Sequence, residues 1–203
     1  MTFSRPLWAS QRGGSGLWRG GLWRSQMQGG GGGGGGGEDY SNAQIGDEIG
    51  GGIYAGTISY GDGRQFHIVA AKAAGEATDL AWGDYGAVTG ATDDDDGYAN
   101  QDLILSSFDN GNSHAFYHCR DYGAGGFPDW YLPARNEIAL VKANLGEAGH
   151  PEFTDAETPS PYRWSSTEYT DLYAYHSRLS GTQGAFNGKN VGQRVRPIRR
   201  VPV

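Results

Sequence analysis

Apolar positions along this chain form short alternating runs in its middle and one helical stripe toward its C-terminal end. Between Pro133 and Gly146, Ile138, Val141 and Leu145 recur at i, i+3 and i+7, so one face of a helix there is apolar. Arg135, Asn136, Glu137, Lys142 and Asn144 fall off that stripe and are expected to face water, Glu137 as a first-turn carboxylate favoured by the helix dipole. Pro133 lacks an N–H and has a preset φ, which suits a first helical turn, and Gly146 stands where a C-cap is expected. Asp129 to Leu132 reads as a short aromatic strand ahead of the helix. Tyr162 to Glu168 and Arg194 to Val201 read as an aromatic segment and a last strand that pack against it. The expected centre is a small α+β domain.

Upstream, Ile45 to Tyr60 gives a strand after glycines, and Gly61-Asp62-Gly63 supplies the positive-φ residues of a hairpin turn. Gln65 to Ala71 returns as the partner strand, with Asp79 to Trp82 as a third, the pattern of a β-meander. Asn100 is placed to cap a helix through Leu103, Ile104 and Phe108, and Ser113 to start another through Phe116, Tyr117 and Arg120. Before Asn100 lies the acidic run Asp93–Asp96. An EF-hand loop turning at Gly97 would want an acid at Thr92 and a Glu at Leu103, and neither is there. A solvated acidic turn is expected; a calcium loop of another type stays open.

Residues 1–28 follow a different pattern. Leu7-Trp8, Leu17-Trp18-Arg19 and Leu22-Trp23-Arg24 repeat a Leu-Trp pair between glycines, at spacings that fit neither a strand nor a helix face. Tryptophan and arginine are the usual anchors of interfaces, so the stretch is read as an arm that docks on a larger partner. Gly29–Gly37 follows as a linker of flexible composition. The expected organisation is an arm over 1–28, a polyglycine linker over 29–37 and a domain over 38–203.

Charge sharpens that division. The chain of 203 residues has a formal net charge of −7, but 1–37 hold four arginines and no carboxylate, which leaves −11 on the remainder. An acidic domain argues against non-specific nucleic-acid binding. No run approaches the roughly 20 apolar residues of a membrane helix. The N-terminal stretch lacks the apolar core of a signal peptide, so an extracellular role would need another route out of a cell, such as assembly into a virus particle released by lysis.

Enzyme chemistry finds little support. Cys119 is the single cysteine, which excludes an intramolecular disulfide and a cysteine zinc cluster, and it is read as a small buried hydrophobe. Of five histidines, only His114 and His118 stand at i, i+4, without a third ligand nearby, and His67 reads as structural. Ser165 and Ser166 lack the Gly-x-Ser-x-Gly elbow. Glu137 and Glu168 are a candidate pair of carboxylates, set against the reading of Glu137 as a solvated first-turn residue. Arg194, Arg196, Arg199 and Arg200 either bind anions or pair with the domain's acids or a neighbouring subunit. No cofactor and no metal are expected. Tyr169 to Asn190 has the Tyr, Ser, Asn, Gln and Gly composition of adaptable recognition surfaces, which marks Tyr169, Asp171, Tyr173, Tyr175, Arg178, Gln183, Asn187 and Lys189 as candidate ligand-binding residues. In the competing reading, Leu172, Ala174 and His176 face inward on a strand and Tyr173 and Tyr175 are ordinary cross-strand aromatics.

Several segments occur together in a known order: Gly50-Gly-Gly-Ile-Tyr-Ala-Gly-Thr-Ile58, Asp96-Gly97 to Asn100, Cys119 with Tyr122, Asp129-Trp-Tyr-Leu-Pro133, Trp164-Ser-Ser-Thr-Glu168 and Val195-Arg-Pro-Ile-Arg199. Over about residues 45–201 the chain resembles the C-terminal domain of Legionella collagen-like proteins, found in bacterial surface proteins and in phage and prophage proteins. The resemblance implies a C-type-lectin-like domain of short antiparallel strands with two or three helices, in which Trp130, Leu132, Pro133, Trp164, Ser165, Ser166, Glu168 and Arg196 define the fold; it implies no catalytic residues. No Gly-X-Y collagen stalk is present. The expected function is that of a non-enzymatic phage virion protein (tail-fibre tip, head fibre or decoration protein) for host-surface attachment. Leu7, Trp8, Leu17, Trp18, Arg19, Leu22, Trp23 and Arg24 would anchor it to other virion proteins, it would form a homo-oligomer, a trimer by analogy with phage fibres, and its target would be a bacterial surface glycan or protein. The alternative is a secreted or surface adhesin that binds glycans.

Overall fold

Strands dominate a mixed α+β fold with few helices. The computed structural model describes residues 38–107, 111–157, 160–181 and 184–203. The arm, the polyglycine linker, Phe108 and Gln183 lie outside the described residues.

The first sheet is antiparallel in the order β1 (Glu48–Ile49), β2 (Gly52–Ser59), β3 (Gln65–Ala70), β9 (Ile198–Pro202). Its β2–β3 hairpin turns where expected: Tyr60 N–H donates to Arg64 O at 2.8 Å and Gly63 has φ of 88°. The second sheet runs β4 (Ala77–Leu80), β8 (Gln193–Val195), β5 (Arg163–Glu168), β6 (Tyr173–Ser177), β7 (Phe186–Gly188), with β5 and β8 parallel and the other pairs antiparallel.

Two strand expectations change here. The single last strand is two strands in two sheets, because Pro197 has no N–H for a ladder and breaks the run between Val195 and Ile198. The meander ends after the hairpin, since β4 starts at Ala77, stops before Trp82 and pairs with β8. Asp129 to Leu132 is extended but joins the first sheet only through a Tyr131–Ile198 bridge.

Helix α1 covers Gly97–Ser107, four residues earlier than expected at its start, because Asp96 rather than Asn100 is the cap: its Oδ1 accepts the Ala99 N–H at 2.9 Å. Helix α2 (His114–Arg120) begins after Ser113 as expected. Helix α3 (Arg135–Val141) runs on through a wider turn over Lys142–Gly146. The stripe of Ile138, Val141 and Leu145 is buried, with Val141 and Leu145 in one core with Ile53, Ile68, Tyr131 and Ile198. A second core gathers Trp82, Ile104, Phe116, Cys119, Leu132 and Trp164 between α1, α2 and the second sheet. Trp82 Nε1 donates to Ser165 O at 2.8 Å and Trp164 Nε1 to Leu80 O at 2.9 Å, so these two buried indoles are satisfied. Among the described residues no helix is long and apolar enough to cross a membrane.

Gly146 is not a left-handed cap. A Cβ there would sit 1.9 Å from the Leu179 carbonyl oxygen, so its role is to let two backbones touch. Gly146→Ala is therefore expected to destabilise the domain by about 2 kcal/mol or more, read as a lower urea midpoint, with Gly123→Ala, where φ is −117° and a Cβ meets open space, as the comparison.

Candidate ligand-recognition surface

The segments that carry the family resemblance meet one another inside the domain. Ser166 N–H donates to Pro133 O at 2.8 Å, Arg135 N–H to Thr167 Oγ1 at 3.2 Å, and Tyr131 exchanges two backbone bonds with Ile198 at 2.8 and 3.0 Å. Trp130, Leu132, Pro133, Trp164, Ser165, Ser166, Glu168 and Arg196 are all buried. Ser165 Oγ donates to Tyr175 O and Ser166 Oγ accepts from Asn100 Nδ2, so both hydroxyls serve the scaffold.

Glu137 corrects the expectation of a solvated first-turn carboxylate. It is fully buried; Oε1 accepts the Tyr60 and Tyr131 hydroxyls, and Oε2 accepts Ala134 N–H at 2.8 Å and Gly97 N–H at 3.2 Å. Burial pushes its pKa up to about 7, against the hydroxyl and backbone donors that favour the charged form. Glu137 and Glu168 do not form a catalytic pair, for each is enclosed by its own donors.

The arginine cluster turns inward. Glu76 receives Arg163 at 2.8 Å, Arg194 at 2.9 Å and Arg196 at 2.9 Å, while Arg199 binds Asp129 and Glu38 and Arg200 binds Asp96. Burial alone would raise the Glu76 pKa; the arginines outweigh it and hold the carboxyl below its ordinary value. The domain's own acids thus occupy these cations. The acidic run is solvated only in part: Asp93 is exposed, Asp94 and Asp95 are half-buried, and Asp96 is buried. Asp93 Oδ1 accepts the Asp95 and Asp96 N–H groups, Asp95 binds Gly61 N–H and Asn136, and Asp96 binds Arg64 and Arg200. Among the described residues no three His, Cys, Asp or Glu side chains are placed to hold a metal. His118 Nε2 is instead bonded to Gly75 O at 2.9 Å, and Cys119 is fully buried. Lys142, expected in water, is buried with Nζ donating to Gly181 O.

Lys189 is the main correction within the predicted ligand set. It is fully buried, its ammonium paired with Glu168 and donating to Ala87 O at 2.6 Å. The other side of Glu168 accepts Thr89 N–H at 3.1 Å, Thr89 Oγ1 at 3.0 Å and Gly90 N–H at 2.8 Å. These bonds tie residues 87–90 to the end of β5 and to the turn after β7.

Around that tie lies an exposed aromatic face. Tyr169 stacks on Phe186 with centroids 4.4 Å apart and the planes at 21°, Tyr175 lies 5.1 Å from Tyr169, and Tyr173 lies 5.4 Å from Phe186. The Tyr85 side chain lies near that of Tyr173, and burial and this neighbour together raise its pKa. At Gly188, the place a Cβ would take lies 3.6 Å from Tyr85 and 3.5 Å from Val191, so both side chains border the end of β7. The Arg135 guanidinium covers the Tyr175 ring at 4.4 Å. Of the eight large hydrophobics strongly exposed among the described residues, Tyr85, Val88, Tyr169, Phe186 and Val191 belong to this face and its loop, which is concentration rather than scatter.

Of the predicted ligand residues, Tyr169, Tyr173 and Tyr175 come together on this face, with Asp171 exposed between them in sequence, whereas Asn187 pairs with buried Ala174 and so points to the other side of β7. Arg178 is drawn off to Glu157 and Asp155 and sits over Tyr162. The inward reading of alternate residues holds for Ala174, which is buried, whereas Leu172 and His176 are half-buried. Tyr85, Val88, Phe186 and Val191 are members that sequence reasoning misses; Phe186 stands inside the marked segment and has a signal there, the others none. A separate open cleft of about 320 Å³ lies between Tyr98, Gln101, Asp102, Leu105, Arg120 and Trp130. No protein-family model matches the chain, and no curated protein matches it.

Two measurements check this geometry. Because the folded Glu137 carboxyl titrates near 7 and its ordinary value is 4.5, folding favours its protonated form. Its contribution is whole below the ordinary value and is lost as pH rises through about 7, a difference of about 3 kcal/mol. Glu137→Gln is expected to flatten that fall in a urea series from acid to mildly alkaline pH. Lys189→Met leaves Glu168 buried without its countercharge and is expected to cost about 3–5 kcal/mol, part of which Lys189→Met/Glu168→Gln restores.

Proposed function

We propose that this chain is a bacteriophage virion protein, a tail-fibre tip, head fibre or decoration protein, whose C-type-lectin-like domain attaches the particle to the host surface. The observation that carries the reading is the exposed aromatic face of Tyr85, Tyr169, Tyr173, Tyr175 and Phe186 on a domain whose motif residues are committed to internal bonds. An apolar face kept in water on a well-satisfied scaffold is the mark of a recognition surface. The mixed α+β fold with short strands is compatible with a lectin-like domain, and the packing of the Trp130-Tyr-Leu-Pro133 and Trp164-Ser-Ser-Thr-Glu168 segments against each other agrees with the resemblance. The serines of the second segment engage Tyr175 O and Asn100 rather than a base, which favours a binding role over a hydrolase.

The arm supplies the other end of the function. Trp8, Trp18 and Trp23, each beside a leucine and near arginines, have the chemistry of an anchor in a larger assembly, and Gly29–Gly37 spaces it from the head. Homotrimers are the oligomers proposed, by analogy with fibres. In particles sedimented from lysates of cells that produce this chain, the full-length protein is expected in the particle fraction. The variant with Trp8→Ala, Trp18→Ala and Trp23→Ala is expected to stay in the supernatant with its domain folded. Absence of the unaltered chain from the particle fraction would refute the virion reading and leave the secreted adhesin.

A further inference from the structure

We infer that the face formed by Tyr85, Tyr169, Tyr173, Tyr175 and Phe186 binds an uncharged glycan, laid across the rings of β6 and β7 and the loop before Thr89; this rests on the attachment reading above.

The chemistry of the face selects that ligand. Sugar rings present C–H faces beside hydroxyls, and aromatic rings attract the first while polar neighbours bond the second. Asp171 is exposed, and its carboxylate accepts no hydrogen bond from the described residues. Asn190 is exposed, and its Oδ1 and the Tyr85 ring both border Gly188, which pairs with Tyr173. A carboxylate, an amide and tyrosine hydroxyls beside apolar rings offer donors and acceptors to an uncharged polyol.

Charge decides against the other occupants. Residues 38–203 carry −11, and the cations near the face are engaged: Lys189 with Glu168, and Arg135 with Asp94 and the Tyr175 ring. A polyanionic glycan would approach an acidic domain with no uncommitted cation at the contact, and two heads meeting through this face would bring like charge against like. A neutral chain meets neither penalty. Its binding is expected to change little with added salt, whereas an ion-paired ligand would be released.

The test uses full-length protein and the envelope polysaccharide of the host cells, separated by anion exchange into neutral and acidic fractions. The inference requires calorimetric binding to the neutral fraction that survives added salt. Tyr169→Ala/Phe186→Ala should weaken it about tenfold or more without lowering the thermal midpoint, and Val203→Ala, remote in sequence and exposed, should leave it unchanged. Binding confined to the acidic fraction, or equal binding by the ring variant, overturns it. Particle adsorption to protease-treated cells separates the two failures. If adsorption persists only on cells with intact surface proteins, the partner is a protein and the glycan inference falls while attachment stands. If particles adsorb to neither preparation, attachment falls as well.

Discussion

The buried pair of Lys189 and Glu168 fixes everything that could face a partner. An ammonium and a carboxylate taken out of water are costly unless they are paired and bonded; here the ammonium has two acceptors and lies 4.8 Å from the Trp82 ring centre. The ammonium holds Glu168 and Ala87 O; the carboxylate also holds the N–H groups of Thr89 and Gly90. Burial by itself would raise the Glu168 pKa, and these donors hold it below its ordinary value. The pair thus pins a glycine-rich loop, which has little apolar content of its own, against the end of β5 and the turn after β7. Tyr85 is thereby held near Tyr173, and Tyr85 and Val191 both border Gly188.

The same device recurs through the domain. Glu76 gathers three arginines from β5, β8 and the segment after it, Arg199 spans Asp129 and Glu38, and Glu137 joins the hairpin, the Tyr131 bridge and the starts of α1 and α3. Short strands bury limited area, so charged hydrogen bonds specify how the pieces meet. With many of its cations paired to its own acids, the domain presents an exposed aromatic face on an acidic body.

Local chemistry makes part of this architecture legible in the amino-acid sequence alone. The Gly61-Asp-Gly63 turn, the start of α2 and the stripe of α3 are readable because short-range spacing decides them. Pro197 holds the signal for two strands instead of one, but which sheet takes each half depends on partners more than a hundred residues away. Glu137 and Lys189 look like ordinary surface charges at their positions. Their burial depends on Tyr60 and Glu168, distant in sequence, and periodicity carries no trace of that. Tyr169, Tyr173 and Tyr175 stand out through composition, whereas Tyr85 and Val88 stand singly among glycines and join the face only through the placement of their loop. Gly146 reads as a cap because glycine usually is one, yet the Leu179 carbonyl is what requires it.

Hydrogen–deuterium exchange of the full-length protein, with and without intact host envelope, tests the central claim most directly. The account predicts slower exchange on envelope binding at residues 84–91, 169–175 and 186–191, with the hairpin of β2 and β3 unchanged. Protection confined to the cleft of Tyr98, Asp102 and Arg120, with the aromatic face exchanging as in the free protein, would contradict it.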